Sequence, residues 1–367
     1  MKVNNNLVIF MPSIEGGGVE KNFFLISNYL SKKIRKVYVI TADKSFTKKL
    51  TSKIYLITPN SYFWSKRGRY TKYFICLILL LKLNFTLKNF LVFSFQANIY
   101  CILLSKILGK RIISRSNSSP QGWSRNIIKN LIFKKVLNIA DKVIVNSYDF
   151  KRDLDKKFNI NSTCIYNPLN KKEVENLGKK KLNFKLFRKK NSLKIINVGR
   201  FVDQKDQITI LKSVNLIKDK ISIELILIGG GIKKEIMINF IKRNKLNKIV
   251  KIMNFLTNPY KYIKKSDVFV LSSTFEGLPN VLLEAQCLKT FIISSDCSSG
   301  PREILLNGKA GFLFKVKDNY DLSKKILKYF YNKEKLNKKI KIGYQNLYRF
   351  KEKNNLEKYF SLIKKFI

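Results

Sequence analysis

The chain has 367 residues, and its 45% of hydrophobic residues can fill the cores of two domains, which excludes a largely disordered protein. It contains no histidine, which excludes the Ser-His-Asp triad, histidine metal sites and every other mechanism that needs an imidazole. Its 73 Lys and Arg against 24 Asp and Glu give a formal net charge of +49, which favours binding to polyanions.

Two explanations of this charge stay open. Lys, Asn, Ile, Phe and Tyr share A/T-rich codons, so compositional drift could supply the lysine without any functional demand. Association with an anionic membrane surface is the functional alternative. The five cysteines have no metal-ligand or redox spacing, as expected of reduced residues in a cytosolic protein.

The first half of the chain alternates short apolar runs with amphipathic stretches, the pattern of a parallel α/β domain. Residues 1–6 lead directly into a predicted strand at residues 7–14, so we expect no signal peptide. Gly16, Gly17 and Gly18 follow this strand and precede a helix with apolar residues at helical spacing. Four further strands are predicted here, at residues 37–41, 90–95, 111–114 and 142–146.

The most apolar run, residues 75–81, is far shorter than the ~20 residues of a transmembrane helix, and we interpret it as a buried or interfacial helix. Aromatic residues 62–64 precede it, close to Lys66, Arg67 and Arg69. Either the aromatic residues belong to the core and the basic residues are solvated, or both kinds of residue contact a membrane interface. Our hypothesis is that residues 62–90 help to form a membrane-facing surface.

The second half repeats the α/β pattern after a lysine-rich, weakly periodic stretch at residues 169–192, which we interpret as a linker with a short helix around residues 172–177. Strands are predicted at residues 194–198, 221–228, 249–255, 267–272 and 291–295, and residues 321–367 look helical throughout.

The two halves predict a fold of two Rossmann-like, doubly wound parallel-sheet domains that face a cleft. We place the first domain at residues 1–168 and the second at residues 193–345. A final helix at residues 346–367 is expected to pack back toward the first domain. Ligands of such sheets bind beyond the carboxyl ends of the strands.

The segment of residues 272–285 runs from a predicted strand into a helix and carries the richest chemistry. Gly277 allows a close backbone approach to a ligand, Pro279 suits the first helical position, and the helix start offers unpaired N–H groups. Glu276 and Glu284 suit hydrogen bonding to hydroxylated rings.

Candidate counter-charges follow the strand at residues 194–198. Gly199 and Arg200 come next, and Lys205 lies in the following loop. The planar guanidinium of Arg200 and the compact ammonium group of Lys205 both suit binding of a diphosphate. The alternative is that Arg200 and Lys205 are merely solvated, because the chain contains many lysines. Residues 229–231 form either a plain turn or a contact with a nucleotide base, and Arg302 with Glu303 could be a local ion pair.

Together these motifs resemble glycosyltransferase family 4 (group 1), whose members have the two-Rossmann-domain fold named GT-B. The resemblance extends in order and spacing over nearly the whole chain, at residues 16–18, 140–147, 166–168 and 299–304. It departs at residues 115–119, Arg-Ser-Asn-Ser-Ser, where many relatives carry a histidine, so no histidine role can be transferred.

The resemblance implies a role for each matching residue. Arg200 and Lys205 would hold the donor diphosphate and stabilise charge on the leaving group, and Glu276 would lie near the reacting centre of the donor sugar. Glu284 would bind the ribose hydroxyls. The remaining matches are glycines and loop residues that would line the donor (Gly277, Leu278, Pro279, Asn280, Gly199, Gly229) or let the first domain close on donor and acceptor (Gly16, Gly17, Gly18).

Members of this family retain the anomeric configuration, apparently by front-side attack in which a donor phosphate oxygen takes the acceptor proton. We expect no cofactor and no metal, because Asp153 and Asp155, which formally match Asp-x-Asp, lie in a lysine-rich helical stretch away from any glycine-rich turn. Metal independence is therefore predicted.

The sequence thus predicts transfer of a hexose or N-acetylhexosamine from a nucleotide sugar, with UDP favoured, to a glycan or lipid-linked saccharide acceptor in surface polysaccharide synthesis. The enzyme would be cytoplasmic and peripheral on the inner membrane, with an anionic membrane surface as partner and no specific nucleic acid. The alternatives are a catalytically inactive scaffold of the same fold, a sugar-nucleotide epimerase, and a polyanion or nucleic-acid binder.

Overall fold

The structure is a computed structural model that describes residues 3–118, 126–182, 186, 187, 189 and 191–367. The chain divides into two compact units. The first consists of Met1–Pro168 and Glu352–Ile367, and the second of Leu169–Lys351.

The first unit is built on a parallel sheet in which strands alternate with helices. In chain order its elements are β1 (Val3–Phe10), α1 (Gly18–Lys33), β2 (Ile34–Ile40), β3 (Ile54–Ile57), α2 (Arg69–Thr86), β4 (Leu91–Ser94), α3 (Asn98–Ile107), β5 (Ile112–Arg115), α4 (Ile127–Ile139), β6 (Lys142–Val145), α5 (Tyr148–Phe158) and β7 (Thr163–Cys164). The strand order is β3-β2-β1-β4-β5-β6-β7. Every strand pair is parallel, which requires a crossover between consecutive strands.

The second unit has the same architecture. Its elements are α6 (Lys171–Lys179), β8 (Leu193–Val198), α7 (Gln207–Ile217), β9 (Ile223–Ile228), α8 (Lys234–Arg243), β10 (Val250–Met253), α9 (Tyr260–Ile263), β11 (Val268–Leu271), α10 (Asn280–Cys287), β12 (Phe291–Ser295), α11 (Pro301–Ile304), β13 (Phe312–Phe314), α12 (Asn319–Tyr331) and α13 (Lys333–Gln345). Its six parallel strands follow the order β10-β9-β8-β11-β12-β13. The chain ends with α14 (Glu352–Lys364), which belongs to the first unit.

Helices cover both faces of the first sheet. Residues of α2, α3, α4 and α5 share one buried cluster with the sheet, and residues of α1 and α14 share the other. The four consecutive β1 residues Leu7–Phe10 are therefore fully buried, because alternate side chains enter opposite cores. From α14, Leu356, Tyr359 and Ile363 enter the core shared with α1.

Residues 169–179, part of the predicted linker, belong to the second unit. Helix α6 packs against α9 and α10, and its Val174 is fully buried, since this short amphipathic helix finds an apolar surface next to the sheet. Residues 183–185, 188 and 190 of the assigned linker lie outside the described residues.

Within the described ranges, no helix is both long enough and apolar enough to span a membrane.

Candidate functional site

Two loops meet at the carboxyl edge of the second sheet because β8 and β11 are neighbours. The loop after β8 and the loop after β11 are tied by their backbones: the Thr274 amide donates to the Gln204 carbonyl oxygen at 2.8 Å. The Gln204 side chain donates to the Phe275 carbonyl oxygen at 2.9 Å, and the Ser272 hydroxyl donates to the Lys205 carbonyl oxygen at 2.7 Å. These bonds hold the predicted cationic loop against the predicted acidic one.

Lys205 and Glu276 form an ion pair across this junction. The Nζ atom of Lys205 lies 2.5 Å from Oε1 of Glu276, and the two side chains are 18% and 9% exposed. The Ser299 hydroxyl donates to the Glu276 carbonyl oxygen at 2.7 Å, which fixes the backbone that carries the carboxylate. Removing one partner of so buried a pair would leave an uncompensated charge.

Cys297, which sequence analysis did not select, lies beside this pair. It is buried, and its pKa is raised to about 12, mainly by burial and also by the charge of Glu276, while Lys205 opposes the rise. The thiol therefore stays protonated at neutral pH and is a poor nucleophile.

A third loop, which follows β12, packs closely on residue 277. Gly300 has a φ of +89°, and a Cβ atom there would lie 2.1 Å from the Gly277 carbonyl oxygen. Helix α10 starts immediately after this contact, with Pro279 as its N-cap rather than its first helical residue. Leu278 and Pro279 are buried, and Asn280 is partly buried.

Glu284 lies in the second turn of α10 and is buried. Its Oε1 accepts a hydrogen bond of 3.1 Å from the Tyr260 hydroxyl in α9. Tyr260 is a further positioning residue that the sequence motifs did not indicate, because it comes from a separate short helix.

A close backbone approach requires the glycine that follows β9. A Cβ atom on Gly229 would lie 1.9 Å from the Gly199 carbonyl oxygen, so residue 229 has a structural reason to be glycine whether or not it contacts a base. The Gln207 side chain donates to the Arg200 carbonyl oxygen at 3.0 Å, and the Arg200 side chain is exposed.

Arg302 pairs with Asp296 through two hydrogen bonds, one of them 2.9 Å between Nε and Oδ1. The neighbouring Glu303 offers its backbone carbonyl oxygen to Arg349 at 2.9 Å. The guanidinium of Arg302 is thus bound to the loop that follows β12.

In the first unit, the glycine-rich turn after β1 is organised by Glu20. Its carboxylate accepts the amides of Gly17 at 2.9 Å and Glu15 at 3.3 Å, and Gly16 has a φ of +82°. Glu15 in turn pairs with Arg69 at 2.8 Å. Predicted residues 16–18 therefore form a capped helix start beside a basic residue of α2.

A buried ion pair, which sequence analysis also missed, supports this turn. Lys72 Nζ lies 2.7 Å from Oδ1 of Asp43, and Oδ2 of Asp43 accepts the Ile14 amide at 2.7 Å. Both side chains are less than 10% exposed.

Arg115 lies in the region where many members of the resembled family carry a histidine. It is fully buried at the end of β5 and donates from Nε to the Tyr359 hydroxyl at 2.9 Å and from Nη2 to the Asn167 side chain at 2.6 Å. Its Nη1 donates to the Asn117 side chain. Burial raises the pKa of Tyr359, while the charge of Arg115 opposes that rise. Ser119 lies outside the described residues.

The two aspartates of the formal Asp-x-Asp match both lie in α5. Asp155 pairs with Lys151 at 2.5 Å and accepts the Ser162 amide at 3.0 Å, and burial raises the pKa of Asp153. Among the described residues, no group of three His, Cys, Asp or Glu side chains could hold a metal ion.

Part of the second unit is similar to a known family. Residues 178–346 match the family model described as glycosyl transferases group 1. The matched residues lie within the second unit and make up less than half of the chain. Lys205, Glu276, Glu284 and the three loops around them all lie within the matched residues.

The sequence relatives of the chain are also glycosyltransferases. An uncharacterised glycosyltransferase of Methanocaldococcus jannaschii is 32% identical over 218 residues, which cover 56% of this chain and 53% of that protein, so the chain spans about half its length. The N-acetylgalactosamine-N,N'-diacetylbacillosaminyl-diphospho-undecaprenol 4-alpha-N-acetylgalactosaminyltransferase of Campylobacter jejuni is 26% identical over 350 residues, which cover 91% of this chain and 92% of that protein.

Solved structures extend the likeness of fold to both units. The Anabaena protein HepE in complex with UDP-glucose matches with a TM-score of 0.78 at 16% identity, over 99% of this chain and 100% of that chain. Sucrose-phosphate synthase from Thermosynechococcus elongatus matches with a TM-score of 0.81 at 15% identity, over 99% of each chain. The predicted fold class, two Rossmann-like parallel-sheet domains of the GT-B type, is confirmed.

Proposed function

We propose that the protein is a retaining family 4 glycosyltransferase that moves a hexose or N-acetylhexosamine from a UDP-linked donor to a growing surface glycan. The observation that carries this proposal is the Lys205–Glu276 pair, held at the carboxyl edge of the second sheet next to the start of α10. The carboxyl edge is where parallel α/β sheets bind ligands.

The pair suggests how a donor would be held. A donor diphosphate would offer Lys205 a second anionic partner, and Arg200, on the loop between β8 and Lys205, would supply a planar fork for the same group. Glu276 would then be available to accept hydrogen bonds from hydroxyls of the donor sugar. Both cations would stabilise the charge that develops on the leaving diphosphate.

The start of α10 would bind the remainder of the donor. Amides of Gly277, Leu278 and Asn280 would face the sugar and phosphate at the positive end of the helix dipole, with Pro279 fixing the turn. Glu284, held by Tyr260, would bind the ribose hydroxyls. The turn formed by residues 229–231 would lie near the base.

The chemistry must proceed without an imidazole base, since the chain has no histidine. In the proposed front-side mechanism, an oxygen of the donor phosphate accepts the proton of the attacking hydroxyl, and the leaving group departs from the same face, which retains the anomeric configuration. We further propose that the reaction needs no divalent metal. Activity should survive a chelator, and activity that is abolished by chelation and restored by manganese or magnesium would contradict this.

We propose a lipid-linked acceptor. The Campylobacter jejuni relative is named for transfer to a diphospho-undecaprenol-linked saccharide, and it aligns with this chain over nearly its full length. The first domain, with its glycine turn at residues 16–18, would receive the acceptor, and the protein would work at the cytoplasmic face of the membrane.

The proposal is tested by thermal-shift screening of the full-length protein against UDP, GDP, ADP and their common sugar conjugates. We expect a selective rise in Tm with UDP compounds that is lost in Lys205→Ala and Glu284→Ala and kept in Lys220→Ala, a control lysine exposed on the same unit. No response to any nucleotide would favour an inactive scaffold, and conversion of a nucleotide sugar without transfer would favour an epimerase.

A further inference from the structure

The first unit exposes large apolar side chains on three helices in succession, α2, α3 and α4. Some are almost as exposed as in an isolated helix: Phe85 is 79% exposed and Ile107 is 80% exposed. The exposed members are Tyr70, Phe74, Leu81 and Phe85 of α2, Tyr100, Leu103 and Ile107 of α3, and Ile127, Ile128, Leu131, Ile132 and Ile139 of α4.

These side chains form one outward face. On α2 the exposed positions recur at spacings of four, seven and four residues, which places them on one side of the helix. The opposite side of α2 sends Cys76 and Leu80 into the core that Cys101 of α3 and Val136 of α4 also enter. Helix α3 contacts both α2 and α4, so the outer sides of the three helices lie next to one another.

An exposed apolar face of this extent is unusual in a monomeric protein and marks an interaction surface. Such a face also lowers stability in water, because its apolar side chains remain hydrated instead of being buried. The core sides of the same helices are well packed, so poor packing of α2, α3 or α4 does not explain the exposure.

The three helices of this face carry no acidic residue of their own, although Glu15, which lies outside them, pairs with Arg69. The sequence contains no Asp or Glu between Asp43 and Asp141, although the whole chain has 24 acidic residues. All three helices lie within this interval. Exposed basic residues lie on α2 and α4 and in the segments next to α2: Lys66, Arg67, Arg69, Lys82, Lys88, Lys129, Lys134 and Lys135.

We propose that the outer face of α2, α3 and α4 docks on an anionic lipid bilayer. Its aromatic and aliphatic side chains would enter the headgroup region, while the lysines and arginines around them would contact lipid phosphates. This inference rests on the proposed function for its purpose, since a lipid-linked acceptor is held at a membrane. It extends the hypothesis for residues 62–90 to α3 and α4, which that hypothesis did not include.

Charge complementarity selects the bilayer over the other occupants. A second copy of the chain would bring the same acid-free face against itself in a two-fold dimer, so like charges would oppose each other. A nucleic acid would complement the charge but would leave the aliphatic side chains of α4 without an apolar partner.

The test is flotation of the full-length protein with vesicles of phosphatidylcholine alone or mixed with phosphatidylglycerol. We expect strong binding to the anionic vesicles and much weaker binding to phosphatidylcholine alone. A triple variant, Tyr70→Ser with Phe74→Ser and Phe85→Ser, should bind at least tenfold more weakly. The matched control replaces three similarly exposed tyrosines of the second unit, Tyr320, Tyr331 and Tyr348, by serine and should bind as the unchanged protein does.

A second variant separates insertion from simple charge attraction. Lys82→Glu combined with Lys134→Glu should weaken binding at low salt, and 0.5 M NaCl should weaken the unchanged protein without abolishing binding, because apolar insertion is not screened. Equal binding by the aromatic variant, or a dimer in solution that this variant dissociates, would overturn the proposal. Binding to DNA that the aromatic variant retains in full would also overturn the proposal.

The vesicles contain neither nucleotide nor glycan, so this result is independent of catalysis. Vesicle binding without any thermal response to UDP would leave the docking surface standing and refute the proposed function. A thermal response to UDP without vesicle binding would leave the proposed function standing and refute the docking surface.

Discussion

At the scale of single residues, Lys205 and Glu276 neutralise each other across 2.5 Å at the junction of two loops. Each side chain is largely shielded from water, so each depends on the other, or on a substitute ion, to balance its charge. A donor diphosphate would be such a substitute for Glu276. Under the proposed function, the pair would therefore link the stability of the loops to the binding of a nucleotide.

Replacement of Glu276 by Gln tests this link. We expect Glu276→Gln to lower the free energy of unfolding by about 1–3 kcal/mol without nucleotide, because Lys205 loses its counter-ion. UDP should then raise Tm more in this variant than in the unchanged protein, while transferase activity falls at least tenfold. Thermal shift with and without UDP measures this, and an equal UDP response in both proteins would show that Lys205 does not contact the diphosphate.

Arg115 is a second residue whose role is visible only in its contacts. Its guanidinium binds three neutral acceptors, from Asn117, Asn167 and Tyr359, which come from three separate segments of the first unit. A planar fork with several donors can satisfy all three at once, whereas an ammonium group cannot hold the same geometry.

We therefore expect Arg115→Lys to lower the free energy of unfolding by about 2–4 kcal/mol, because two buried acceptors lose their donors. Urea denaturation measures the change, with Arg111→Lys as the control, an exposed arginine just before the same strand. If the two lysine variants were equally stable, the bonds from Arg115 would contribute little.

At the scale of elements, three loops at the carboxyl edge of the second sheet hold the site together. The loops after β8 and β11 are joined by hydrogen bonds, and the loop after β12 presses Gly300 against Gly277. Because α10 begins directly after this contact, the backbone positions of all three loops decide where the helix N-terminus points.

Gly300→Ala should disturb the site through this contact. The added methyl group would lie 2.1 Å from the Gly277 carbonyl oxygen, so the loop must shift and the affinity for UDP should fall at least tenfold. Gly308→Ala is the matched control: residue 308 has a similar φ of +87°, but its Cβ atom would lie 3.9 Å from its nearest neighbour. Calorimetric titration with UDP distinguishes them, since backbone strain alone would affect both variants alike.

At the scale of the whole molecule, positive charge favours association with anionic surfaces. The net charge is +49, and the interval between Asp43 and Asp141, which includes α2, α3 and α4, contains no acidic residue. Buried thiols occur in both units, and burial raises the pKa values of Cys76, Cys101 and Cys297 above the ordinary value of 9.0.

These thiols predict a loss of stability at alkaline pH. In the unfolded chain they ionise near pH 9, whereas in the folded protein they stay protonated; the unfolded state then binds fewer protons, and stability falls as the pH rises above 9. Tm should therefore decrease between pH 8.5 and pH 10, a range in which most lysines remain charged. Cys101→Ala should reduce this decrease, and a Tm independent of pH over the range would contradict the account.

Much of the fold and part of the site follow from the sequence alone. Alternating apolar runs and amphipathic stretches predict two parallel α/β sheets because period and length of apolar segments are local properties. The order of Gly199, Lys205, Glu276 and Glu284 likewise places the site at a carboxyl edge. Strands β3, β7 and β13 are absent from the sequence predictions: β7 and β13 have only two and three residues, and the edge strand β3 exposes two of its four residues.

Only the tertiary structure decided which side chains meet. Lys205 and Glu276 are 71 residues apart in sequence, and Arg115 and Tyr359 are 244 apart. Tyr260 reaches Glu284 from another helix. The apolar stripe of α2 could be assigned to a core or to an outer face only once its neighbours α3 and α4 were known. Local periodicity records which face of an element is apolar, whereas partners distant in sequence are chosen by the packing of the complete chain.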